Sequence, residues 1–234
     1  MKTDPSPTSS KARPKLSDAL SLIRAALLPL ADPLRAEAMA AYMRGRFAFL
    51  GISAVPRRHA TKPILSPLRD QPCWELINDC WDQPHREYQY VACDHLRTQR
   101  HAVPQDQLPA LYRLVTTHSW WDTVDPLAGV IGRMAPATDT MLSWAHDPNL
   151  WIRRVALLHQ LGRRDATDTD LLSACIQANV GTGEFFLDKA IGWALRDYAR
   201  TNPIWVRNFV HSCEGKGLSA LSRREALKHI GTKG

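Results

Sequence analysis

Apolar residues recur at helical spacing through most of the chain. The clearest runs are residues 150–161 and Phe185–Tyr198, where aliphatic and aromatic side chains return every third or fourth position. Strand signals are weak, and neither Asn-Gly nor Asp-Gly occurs, so no short hairpin turn is expected. The start signals are helical too. Asp147-Pro148 and Asn202-Pro203 each read as an N-cap followed by proline in the first helical position. Ser119 with Asp122, and Ser222 with Glu225, have capping-box spacing. The first box would put Trp120 and Trp121 in the opening turn of a helix.

A weak repeat overlies this pattern. Segments 87–92, 121–125, 151–156, 185–190 and 221–226 are similar, and their last residues are 33, 31, 34 and 36 positions apart. That period suits stacked helical pairs, none of which buries its apolar face alone. The expected fold is all-α, an α-solenoid of five or six repeats with a concave face. Four segments end in alanine and one ends in Asp125. A carboxylate where the pattern asks for a small packing residue is costly unless paired or wet. Breaks in a local pattern concentrate at functional sites, although an ordinary solvated face would also explain one.

Helical geometry gives Asp125 neighbours. Trp121 lies one turn before it on the same face. Phe186 and Trp193 occupy the equivalent face around Ala190. Arg154 lies two positions before Ala156, on the far side of its helix by this count. Of the eight tryptophans, Trp74, Trp81, Trp144 and Trp205 read as packing residues.

Composition narrows the class. At 234 residues, 44% hydrophobic and 23% charged, the chain can build a globular core. Residues 1–15 are rich in Pro, Ser, Thr and Lys and read as a flexible tail. Residues 16–234 read as a single repeat domain. No apolar run is long enough to cross a membrane. Five cysteines without a CxxC pair suit reduced thiols in a cytoplasmic protein. No metal-ligand cluster, nucleotide loop or nucleophile elbow is present, so neither metal nor cofactor is expected.

The net charge of +7 is compatible with a polyanionic partner. Arg44 and Arg46, Arg57-Arg58, Arg153-Arg154, Arg163-Arg164 and Arg223-Arg224 recur along the chain. They suit a solvated face, or contacts to a phosphate backbone.

Six stretches carry a family resemblance: YMRGRFAFLGI over 42–52, REYQY over 86–90, THSWWDTVD over 117–125, LWIRR over 150–154, EFFLDKAIGW over 184–193 and LSRREA over 221–226. With them the chain resembles the DNA alkylation repair glycosylases built from HEAT-like helical repeats. The resemblance implies a solenoid that wraps duplex DNA along a concave basic groove, and a monomer is the simplest expectation for such a wrap. It implies excision of positively charged N3- and N7-alkylated purines, such as 7-methylguanine and 3-methyladenine, leaving an abasic site. It matches Asp125 to the catalytic carboxylate and Trp121 and Trp193 to its flanking aromatics. It matches Arg154 to a DNA-contacting arginine, and places Tyr42, Trp120, Arg153, Phe185 and Phe186 at the DNA surface.

Two departures stand out. Ser53, Val55 and Pro56 alter the loop after Gly51-Ile52, and Pro126 follows Asp125, where it is expected to kink the helix. A repeat protein that binds DNA without cutting it, and a protein-binding scaffold, are the alternative readings.

Overall fold

The structure, a computed structural model, describes residues 16–230, so the expected tail lies outside the described residues. Among the described residues are thirteen α-helices, and the strand pairing consists of one isolated parallel bridge between Ala48 and His85. The protein is all-α and of the α-solenoid kind. It divides into two compact units, Met1–Ala92 and Cys93–Gly234.

The first unit holds α1 (Leu16–Leu27), α2 (Pro33–Tyr42), α3 (Ala54–Leu65), α4 (Trp74–Trp81) and the start of α5 (Arg86–Thr98). Helix α1 packs on α3 and α4 and buries Ile23 and Leu27 completely. The loop between α2 and α3 is held by Glu87. This buried carboxylate accepts the backbone N–H groups of Leu50, Gly51 and Ile52 at 2.9, 2.8 and 3.0 Å. Gly51 is required there: its φ is +86°, and a Cβ would sit 2.0 Å from the Asp32 carbonyl oxygen. Arg86, also buried, lays its guanidinium 3.8 Å from the centre of the Phe47 ring. Gln89 donates to the carbonyls of Trp81 and Gln83 beyond the end of α4. Three polar residues of the 86–90 stretch therefore face inward, each with a partner.

The second unit continues with α6 (Leu108–Thr116), α7 (Trp121–Arg133), α8 (Thr138–Ala145), α9 (Leu150–Leu158), α10 (Thr169–Gln177), α11 (Phe185–Tyr198), α12 (Pro203–Ser212) and α13 (Ala220–Leu227). Helices α7, α9, α11 and α13 pack in succession, while α6, α8 and α12 pack on α7, α9 and α13. The repeat has a structural meaning. Asp125, Ala156, Ala190 and Ala226 fall on these four stacked helices and Ala92 on α5, so one period is one helical pair. The four alanines are at most 1% exposed. Glycines set the closest approaches. A Cβ on Gly132 would lie 1.8 Å from the His159 carbonyl oxygen, bringing the end of α7 against the end of α9. A Cβ on Gly192 would lie 2.6 Å from the Glu225 Cβ, between α11 and α13.

Some helix starts differ from expectation. Asn202 caps α12 by accepting the Trp205 N–H, with Pro203 at the first position, as predicted. The Asp147-Pro148 start moves two residues on. Asn149 caps α9 by accepting the Trp151 N–H, while Asp147 accepts the Asn149 N–H. Ser119 does not cap α7; its hydroxyl donates back to the Val115 carbonyl, and Trp120 takes the N-cap position. Ser219, not Ser222, caps α13. Helix α9 also ends at Leu158, short of residue 161. Helix α7 runs through Pro126, which has no N–H to donate toward the Asp122 carbonyl.

Candidate active site

Helix α7 carries an apolar stripe of Val124, Leu127 and Ile131, spaced three and four apart and fully buried. Asp125 stands beside that stripe. The α6–α7 turn delivers it: His118 adopts φ +50° and Trp120 is extended, so the chain reverses sharply before Trp121 begins the helix.

Helix α9 lies between α7 and α11 and against α8, and seven of its nine residues are buried. Arg154 is one of them. A guanidinium in that position cannot reach bulk water and has to be paired. Its Nε donates to Asp125 Oδ1 at 2.7 Å and its Nη2 to Oδ2 at 2.8 Å. Its Nη1 donates to the Phe186 carbonyl in the first turn of α11. The Asp125 side chain is 14% exposed and that of Arg154 5%. One arginine thus ties three successive helices together around one carboxylate. Burial pushes the Asp125 carboxyl above the ordinary carboxylate value. The bonds and charge of Arg154 pull it back, and Asp122 adds a smaller upward push.

The rings close in beside this pair. Trp120, Trp151 and Phe186 form a mutual cluster with centroids 4.8, 5.1 and 5.5 Å apart. Phe185 meets Phe186 edge-on at 5.4 Å and is 51% exposed, which makes it the outer ring of the group. Trp121 is the first residue of α7, and Trp193 lies one turn after Ala190 on α11; both are half-buried, as is Arg153. Tyr42 is the last residue of α2, in the first unit, and is 72% exposed.

The structure brings Arg154 against Asp125 and, through the Phe186 carbonyl, beside the rings of Phe186 and Trp120. It assigns Arg154 a carboxylate partner that angular counting along α9 placed on the far side. Trp151, given no role in the sequence, completes the ring cluster; its signal was its place one turn before Arg154. Among the described residues no group of three His, Cys, Asp or Glu side chains is arranged to hold a metal ion, and no helix is long and apolar enough to cross a membrane.

A family model described as "DNA alkylation repair enzyme" matches residues 23–230. The chain belongs to that family. Among solved structures it is similar to one titled "Predicted DNA alkylation repair enzyme from Enterococcus faecalis". The two are 34% identical, and the match covers 87% of this chain and 98% of that one with a TM-score of 0.79. No curated protein matches. The family match takes in Asp125, Arg154 and the whole ring cluster.

Proposed function

We propose that this DNA alkylation repair family member is a DNA glycosylase acting in base excision repair. It hydrolyses the N-glycosidic bond of positively charged N3- and N7-alkylated purines in duplex DNA and leaves an abasic site. The observation that carries the reading is Asp125: a carboxylate at a position otherwise filled by buried alanine, held by Arg154 beside a cluster of aromatic rings.

The chemistry follows from the substrate. An alkylated purine carries a positive charge and leaves without prior protonation. Breaking its bond to the sugar builds oxocarbenium character at C1′. A fixed negative charge beside C1′ stabilises that state, and the same carboxylate orients the attacking water. Asp125 has the charge and the fixed position for both. Trp121 and Trp193 pack on the sugar and backbone around the lesion and exclude bulk water. On the second unit Arg153 and the exposed Phe185 are proposed to contact DNA, with Phe186 and the buried Trp120 packed behind Phe185, and on the first unit Tyr42 is proposed to do so; contacts to phosphate and sugar set the register.

The test is release of free base from a duplex oligonucleotide holding a single 7-methylguanine, followed by alkaline cleavage at the abasic site. Cleavage by the wild type supports the glycosylase. Salt-sensitive duplex binding with no cleavage instead gives a DNA-binding protein without this activity.

A further inference from the structure

We propose that Lys189 and Arg196 form a phosphodiester-binding pair beside Trp193, and that Glu225 of α13 occupies this pair as an internal stand-in for phosphate, restraining duplex affinity until DNA displaces it. The inference rests on the glycosylase reading above, in which Trp193 packs on the DNA backbone. Lys189 lies one turn before Trp193 on α11 and Arg196 one turn after it, so the three share a side of the helix. Both cations reach the same carboxylate, from either side of Gly192. Lys189 Nζ donates to Glu225 Oε1 at 3.3 Å, and Arg196 Nη1 donates to Oε2.

The arrangement specifies the chemistry of the ligand. Each oxygen of one anionic group takes one cation. A phosphodiester presents two unbridged oxygens in the same way, and hydrogen bonds between ionised partners are the strong ones. The side chains of Lys189 and Arg196 are 41% and 24% exposed, so both are open to a ligand, whereas that of Glu225 is 16% exposed. Two cations against one carboxylate leave a positive charge over, which suits an anionic partner. Burial pushes the Glu225 carboxyl up, but the bond and charge of Lys189, followed by those of Arg196, outweigh it and hold the group below its ordinary value. The carboxylate is therefore a real competitor for both cations.

The seating of α13 on α11 is secured without this charge. The fully buried Ser222 donates its hydroxyl to the Asp188 carbonyl at 2.8 Å, and Ala226 is fully buried. The bare backbone of Gly192 makes room for the Glu225 Cβ, which is why the carboxylate can lie between the two cations. Partly exposed ion pairs add little to stability. What remains for the carboxylate to do is electrostatic: it screens the cations beside Trp193 from weakly bound duplex.

Wild type, Glu225→Gln, the Lys189→Gln/Arg196→Gln double variant and the triple variant are compared by fluorescence-anisotropy titration of an undamaged duplex across salt concentrations. Glu225→Gln is expected to bind about fivefold more tightly at low salt, with a steeper salt dependence. The double variant is expected to bind about tenfold more weakly, with a shallower one. Adding Glu225→Gln to the double variant is expected to change affinity by less than about twofold, because the cations it competes for are gone.

Unchanged or weaker binding by Glu225→Gln would make Glu225 a structural link between α11 and α13 and overturn the inference. An equal gain in both backgrounds would reduce it to a general effect of charge and overturn it too. Should Glu225→Gln not fold, Glu225→Asp takes its place, since it keeps the charge but is one methylene short of bridging both cations; the same outcomes then decide. Should the wild type bind duplex but release no base from the 7-methylguanine substrate, the glycosylase reading fails and the binding series still decides this one.

Discussion

Asp125 and Arg154 meet across the α7–α9 interface with both carboxylate oxygens engaged, and they lie 29 residues apart in the chain. Buried pairs of this kind are costly to break and nearly neutral to replace. Removing one partner strands the other charge, and replacing both with apolar groups strands neither. Asp125→Leu alone, or Arg154→Met alone, is expected to lose about 3–5 kcal/mol of unfolding free energy. The double variant is expected to recover most of that loss. Urea unfolding of the four proteins measures the coupling, and strictly additive losses would show that the pair is not an energetic unit.

The ring cluster predicts a division of labour between adjacent phenylalanines. Phe186 packs against Trp120 and Trp151, whereas Phe185 is half exposed. Phe186→Ala is expected to destabilise the fold by about 3 kcal/mol. Phe185→Ala is expected to leave stability within about 0.5 kcal/mol and to weaken duplex binding about fivefold or more. Thermal melts and fluorescence-anisotropy titrations separate the two effects. Equal binding by Phe185→Ala and wild type would take that ring out of the DNA surface.

Two glycines of α7 give opposite expectations. Gly132 has a carbonyl oxygen where its Cβ would be, whereas Gly129 has open space. Gly132→Ala is expected to cost about 2–3 kcal/mol by forcing α9 away from α7. Gly129→Ala is expected to gain about 0.5–1 kcal/mol, since alanine loses less freedom in a helix. Denaturant midpoints of the two variants, against the wild type, check the sign of each.

Acid sensitivity is predicted from two buried imidazoles. Burial holds His95 and His159 down to about 4, below the ordinary value of about 6.5. Between those values the unfolded chain binds protons that the folded chain does not. Stability is therefore fully present above about pH 6.5 and falls as the pH drops towards 4. Each imidazole contributes on the order of 3 kcal/mol at the limit. Asp125, held above the ordinary carboxylate value, works in the opposite sense at the acid end of that window. Urea midpoints from pH 7 to pH 4.5 are expected to fall steadily, and less steeply in His159→Gln. A flat profile in the wild type would contradict this.

Much of the fold was legible because it repeats. The repeated segments mark α5, α7, α9, α11 and α13; four end in alanine, and Asp125 on α7 is the one break in that series. Helix α11 runs over the residues its apolar spacing predicts. What stayed hidden was lateral. Residue spacing gives the direction of Arg154 around its own helix only, whereas α9 is flanked by α7 and α11 and the long side chain reaches Asp125 on one and the Phe186 carbonyl on the other. Arg86, Glu87 and Gln89 were hidden for a related reason. Their partners are a ring and a loop backbone more than thirty residues away and the end of the preceding helix, none of which the polarity of the stretch reveals. The cap moved at the start of α9 because two nearby polar residues take successive N–H groups, Asp147 that of Asn149 and Asn149 that of Trp151.

The most direct test of the central claim is single-turnover release of 7-methylguanine from a duplex by wild type and Asp125→Asn, with duplex affinity measured on the same preparations. The prediction is a rate lower by about a hundredfold or more in the variant, at an affinity within a few-fold of wild type. Equal rates in the two proteins would contradict the assignment of Asp125 as the group that acts on the sugar.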